Sequence, residues 1–137
     1  MKIAFKSILS IILIIALLFI PITVAANNSI QPLWDNTDSI LANIAFTGTT
    51  GTYSAYITGD PDVTDIIAFA KLYYKDSGGA WVEIPMPWGF LVRSDTLFIA
   101  EDFDAQSGVE YKVELEVNVY VEYDCETIYV TTTGTCP

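Results

Sequence analysis

The residues able to do chemistry in this chain exclude more than they offer. There is no histidine among the 137 residues, which removes Ser-His-Asp and Cys-His nucleophilic sites and every histidine-bearing zinc pattern. Cys125 and Cys136 are the only cysteines, too few to close a structural metal site. "GTTG" (Gly48 to Gly51) lacks the Lys and the following helix that a phosphate-binding loop requires. Carboxylates remain. "GDPDVTD" carries Asp60, Asp62 and Asp65, and "EDFDAQSG" carries Glu101, Asp102 and Asp104. Calcium takes several oxygen ligands from loops of this kind, but neither segment has the acids and glycine of an EF-hand at the needed positions. Asp is also the ordinary residue of solvated turns, and that reading is preferred. Two of these acids placed across a sugar would make a glycosidase site, yet a single small sandwich has little room for the cleft. We therefore expect no enzyme, no metal and no cofactor.

Aromatic residues are the better functional hint. "PMPWGF" places Trp88 and Phe90 beside two prolines, and Tyr120 and Tyr129, with Tyr56 and Tyr73, fall on polar-facing strand positions. Exposed aromatics on a rigid β scaffold stack on sugars or anchor a protein partner. The competing reading folds Trp88 back as a lid on one end of the core, and aromatics are usually at least partly buried. Trp81, at a strand start after a glycine turn, is expected in the core, and Trp34 is expected to plug the other end.

Charge narrows the partners further. Downstream of residue 26 all seventeen carboxylates face only Lys71, Lys75, Arg93 and Lys112. Such a surface repels phosphate backbones and anionic headgroups, so no nucleic-acid partner is expected. The partner anticipated is a protein or a cell-wall glycan.

These residues need elements to hold them. "YKVELEVNVYVEY" alternates Tyr111, Val113, Leu115, Val117, Val119, Val121 and Tyr123 with Lys112, Glu114, Glu116, Asn118, Tyr120 and Glu122. Period two of that kind is a strand with one buried face. Further strands are read at residues 39–47, 52–58, 66–75, 81–84, 96–100 and 127–133, separated by Gly, Pro and Asp. "DIIAFAKLYYK" admits a helix, but its aromatic and β-branched content favours a strand. "PMPWG" is expected to interrupt the sheet, because proline has no ladder N–H. Short strands at this spacing indicate a sandwich or barrel. The last two strands are expected to form a hairpin turning at residues 123–126, so that Val121 faces Ile128, Val119 faces Val130 and Val117 faces Thr132. That hairpin sets Cys125 and Cys136 at opposite ends of a strand, about 36 Å apart at the usual rise, where a disulfide cannot form. A strand broken near Gly134 is the alternative that would let the two pair.

"SGVEYKVELEVNVYV" resembles the entry to strand F of fibronectin type III and related immunoglobulin-like domains. The resemblance gives Gly108 and Tyr111 the places of the tyrosine corner, with the Tyr111 hydroxyl hydrogen-bonded to nearby backbone. "KLYYKDSGGAWVEI", "SGVEYKVELEVNVYV" and "CETIYV" together are similar to a set of small secreted Gram-positive bacterial proteins of unknown function, through Leu72, Gly79, Trp81, Gly108, Tyr111 and Glu126. It implies a fold, an immunoglobulin-like antiparallel β-sandwich of about seven strands, and no activity.

The N-terminus supplies the compartment. Lys2 and Lys6 precede an almost unbroken apolar run from Ile8 to Ile20, Pro21 ends it, and "TVAA" offers small residues for cleavage after Ala26. This is the layout of a secretory signal peptide. We expect a helical signal peptide at residues 1–26 and a single β-sandwich domain at 27–137, touching the membrane only through that segment before its removal. The chain is then secreted, extracellular or wall-associated. Its expected role is non-enzymatic binding or assembly, the alternative being a secreted effector such as an inhibitor or toxin-like protein.

Overall fold

Residues 34–137 are those described by the computed structural model, and within them the chain forms seven strands and no helix. The strands are β1 (Thr37–Thr47), β2 (Thr50–Gly59), β3 (Asp65–Lys75), β4 (Trp81–Val92), β5 (Thr96–Asp104), β6 (Glu110–Val121) and β7 (Asp124–Thr135). A three-stranded sheet in the order β1-β2-β5 packs on a four-stranded sheet in the order β4-β3-β6-β7, and every pairing is antiparallel. The result is an all-β sandwich. The apolar run at residues 8–20 and the cleavage point after Ala26 lie outside the described residues.

Alternation writes the core directly. Tyr111, Val113, Leu115, Val117 and Val119 of β6 are buried, as are Ile66, Ala68, Ala70 and Leu72 of β3. Tyr53, Ala55 and Ile57 of β2 and Leu97, Ile99 and Phe103 of β5 meet them from the other sheet. The β3 segment is thus a strand and not the helix its two alanines allowed. Trp34 packs against the same core.

Two expectations need correction. The "PMPWG" segment does not leave the sheet: β4 runs through it. Ile84 faces Leu72 and Trp88 faces Ala70, so three residues of β4 answer Lys71 alone. Such a bulge, on an outermost strand whose far side needs no N–H partner, is where proline is tolerated. The β6–β7 hairpin is also tighter than expected. Val121 pairs Asp124 across Glu122 and Tyr123, and Val117 faces Ile128, Leu115 faces Val130 and Val113 faces Thr132. Glu122 takes a left-handed φ of 47° to make that turn. The shift along β7 is an even number of residues, so each side chain keeps its face while all its partners change.

With β7 unbroken from end to end, Cys125 and Cys136 are both free thiols, the first exposed and the second buried. The alternative of an intrachain bridge is not realised, because an extended strand separates the two sulfurs. Cys136 instead fills a core position as a small apolar group, its thiol donating to the Gly48 carbonyl at 3.4 Å.

The sandwich is sealed along one long side. There β1 runs beside β7 in the same direction. At the start, Glu126 accepts hydrogen bonds from the Asp35 N–H (2.7 Å), the Asn36 N–H (3.0 Å) and the Thr37 hydroxyl (2.9 Å). Further along, Phe46 and Ile44 lie against Gly134 so closely that a Cβ there would meet the Phe46 ring at 3.0 Å. At the end of β6 nearest the β5–β6 turn, the Tyr111 hydroxyl accepts the Gln106 N–H at 2.9 Å. That turn closes with the Val109 N–H donating to the Gln106 carbonyl, and Gly108 provides its φ of +78°.

Two substitutions probe this framework. Glu126→Ala strands two backbone donors and a hydroxyl near the surface, and should lower unfolding free energy by about 1–2 kcal/mol in a urea titration. Tyr53 is fully buried and its phenol has no partner, with burial raising its ionisation well above the ordinary range. Tyr53→Phe removes an unsatisfied polar atom and keeps the packing. We expect a melting temperature equal to or above the parent's; a clear drop would mean that the hydroxyl is bonded.

Candidate binding surface

Of the four aromatic residues expected to bind, Tyr120 and Tyr129 face outward, while Trp88 is buried and Phe90 is half-buried on the inward side of β4. Trp88 is only 7% exposed. Its ring stacks on Tyr53 with centroids 6.1 Å apart and planes 10° apart, and it touches Phe103 at 6.4 Å. Phe90, two residues on and therefore on the same face, packs against the core. Neither lies in an exposed loop, because β4 continues through the prolines and turns their side of the strand inward. Tyr120 and Tyr129 lie on the outward face of the four-stranded sheet. Tyr120 is partly covered beside its cross-strand neighbour Cys125, whose hydrogen bond is the main cause of a raised phenol pKa. Tyr129 is 75% exposed.

Register assembles this outward face row by row. Gly89, Phe69, Glu116 and Tyr129 cross β4, β3, β6 and β7 in one line, and Leu91, Ile67, Asn118 and Thr127 in the next. Phe69 is 50% and Leu91 64% exposed. A glycine at position 89 leaves room for the Phe69 ring, which lies 3.6 Å from where a Cβ would stand. Between Phe69 and Tyr129 runs a furrow of about 340 Å³, with Lys71, Glu114, Glu116 and Thr131 along it. Two aromatic walls with ammonium and carboxylate groups between them present apolar contact and directed hydrogen bonds together. Phe69 and Leu91 were not singled out in the sequence. For Phe69 the signal lay in "DIIAFAKLYYK", whose two faces both carry large apolar groups.

The same face has a self-satisfied end. Lys112 is largely covered; its ammonium sits 4.4 Å from the Tyr73 ring centre and 5.0 Å from that of Trp81, and donates to Glu114 at 2.6 Å. Lys75 also lies over Trp81 at 5.3 Å and pairs with Glu110 at 2.8 Å. Trp81, expected in the core, is therefore half-buried on the outer face, its ring occupied by the chain's own cations. It sits there because it pairs with Lys75, on the outward side of β3.

The acidic loops gather no site. Among the described residues no three Asp, Glu or Cys side chains converge as metal ligands. The Asp60 carboxyl is raised above its ordinary range, first by a hydrogen bond with Asp38 and then by burial and the charges of Asp38, Asp62 and Glu126. Asp102 accepts from the Thr52 hydroxyl at 2.7 Å. Comparison of the chain with protein-family models, with curated proteins and with solved structures finds no match.

The Lys112 cluster yields a pH prediction. The hydrogen bond from Lys112 is the largest influence holding the Glu114 carboxyl below its ordinary 4.5, and the Tyr73 hydroxyl and the Lys112 and Lys71 charges add to it. A depressed carboxyl contributes stability that is present above the ordinary value and is lost as pH falls through the folded one. Glu114→Gln should therefore be less stable than the parent at pH 7, with the gap closing below the carboxylate range. A gap of constant size in denaturant titrations from pH 7 to pH 3 would refute it.

Proposed function

We propose that this chain is a small exported bacterial protein, non-enzymatic, whose immunoglobulin-like domain binds or assembles through the outward face of its four-stranded sheet. The compartment rests on the N-terminal pattern of Lys2, Lys6, the apolar run and "TVAA". The immunoglobulin-like reading is supported by three strands, β1-β2-β5, set against four, β4-β3-β6-β7, and by the Tyr111 hydroxyl bonded back to Gln106. The observation that carries binding is the exposed pair of Phe69 and Tyr129 walling a furrow, with exposed Leu91 in the next cross-strand row. Contiguous exposed apolar groups on a soluble domain mark interaction sites. The ligand class is a wall glycan, stacked on the two rings, or a protein partner anchored by them.

Phe69→Ala and Tyr129→Ala should each weaken binding to isolated Gram-positive wall material, or to a partner recovered from it, by about tenfold or more, as anchor residues do. Their effect on folding should stay within about 1 kcal/mol, since both sit at exposed strand positions. Trp88→Ala should behave oppositely and cost about 3–5 kcal/mol of stability through the cavity it leaves. Unchanged binding in both surface variants would remove this face from consideration.

A further inference from the structure

The four outermost strands are not equally protected. β7 is flanked by β1 through Glu126 and Gly134, which accounts for that long side. β4 is interrupted by its bulge at residues 85–87. β5 is different. It pairs with β2 over nine consecutive residues with no register shift. Its free side is bare: no residue from Leu97 to Asp104 makes a backbone hydrogen bond beyond that pairing among the described residues. A row of unpaired N–H and C=O groups on a straight strand is a template for another strand.

The surroundings define what kind of strand. Three strands against four leave part of the inner face of β4 without a covering strand. A groove of about 340 Å³ opens there beside β5, lined by Leu72, Ile84, Met86 and Phe103 and edged by Asp102 and Asp104. On the outer side, Phe98 is 66% exposed and continues a cross-strand row with Tyr56 and Leu41. Along β5 the first half, Thr96 to Ala100, is uncharged, whereas the second holds Glu101, Asp102 and Asp104 with no cation on β1, β2 or β5 to balance them. These carboxylates attract a cationic segment.

We propose that the free edge of β5 accepts an extended peptide segment, apolar where it meets Thr96 to Ala100 and basic where it meets Glu101 to Asp104. The added segment becomes the fourth strand of the smaller sheet. Its backbone takes up the unpaired groups of β5, alternate side chains cover Ile84 and Met86, and the others extend the Leu41–Tyr56–Phe98 row. This is strand addition, in which main-chain bonds hold the peptide and side-chain pockets choose it. It does not depend on the Phe69–Tyr129 face and stands or falls separately.

The test uses the purified protein and a capped ten-residue peptide with four Lys/Arg residues followed by alternating Val and Thr. Binding should saturate and slow hydrogen exchange at Leu97–Asp104 by about tenfold or more. A peptide of the same sequence, N-methylated throughout, should not bind, because every main-chain donor that could face β5 is gone. The double variant Asp102→Asn, Asp104→Asn should bind the unmodified peptide several-fold more weakly and lose most of the salt dependence. No saturable binding overturns the proposal, as does protection confined to other strands. Equal affinity of the N-methylated peptide also overturns it, since the contact would then be charge attraction without strand pairing. Phe69→Ala should leave this binding unchanged.

Discussion

Five alternate side chains of β6, from Tyr111 to Val119, lie almost wholly out of water against Tyr53, Ile57 and Ile99 of the opposing sheet. Each such Val or Leu contributes roughly 1.5–3 kcal/mol by leaving solvent, so this seam outweighs any single polar contact in the molecule. It also fixes orientation. Once Val113, Leu115 and Val117 must face inward, Glu114, Glu116 and Asn118 must face outward, and the neighbouring strands inherit the same phase through their pairing. The furrow between Phe69 and Tyr129 exists because Glu116 between them is locked to the outside by Leu115 and Val117 next to it.

The two long sides of the sandwich end differently, and that difference sets where partners can approach. On the β1–β7 side a carboxylate, a glycine and a buried thiol bring the sheets together: Glu126 holds the entry to β1, Gly134 admits Phe46, and Cys136 meets Gly48. On the β4–β5 side the sheets differ in strand number, and the inner face of β4 is left partly uncovered. Much of the aromatic capacity is already spent internally. Trp88 stacks on Tyr53, and Trp81 and Tyr73 hold Lys112. What remains free among the described residues is Phe69, Leu91 and Tyr129 on one sheet, the Leu41–Tyr56–Phe98 row on the other, and Tyr123 in the β6–β7 turn.

Period two and turn chemistry made most of the fold readable from residue types. Each of the seven strands contains a segment that reads as a strand, although in β4 only the first third does, and the inward set of β6 follows from "YKVELEVNVYVEY" without further information. The site was less legible. Parity places Tyr129 outward, but the two prolines that bracket Met86 make Trp88 and Phe90 read as loop residues. Whether proline ends a strand depends on whether a neighbour needs its missing N–H, and only the position of β4 at the sheet's margin answers that. The β6–β7 register escaped for a related reason: a slip of an even number of residues costs nothing in facing, so the hydrophobic pattern is blind to it.

The sequence by itself determined the all-β class, the seven strand segments and the dry sides of β6 and β7, because these follow from local alternation and from where glycine, proline and aspartate permit turns. Tertiary structure decided which strands are outermost, which aromatics remain uncovered, and that the two cysteines stand at opposite ends of one unbroken strand. Those outcomes depend on which segments lie side by side, and strand partners are chosen by long-range packing of whole faces that no local stretch of residues encodes.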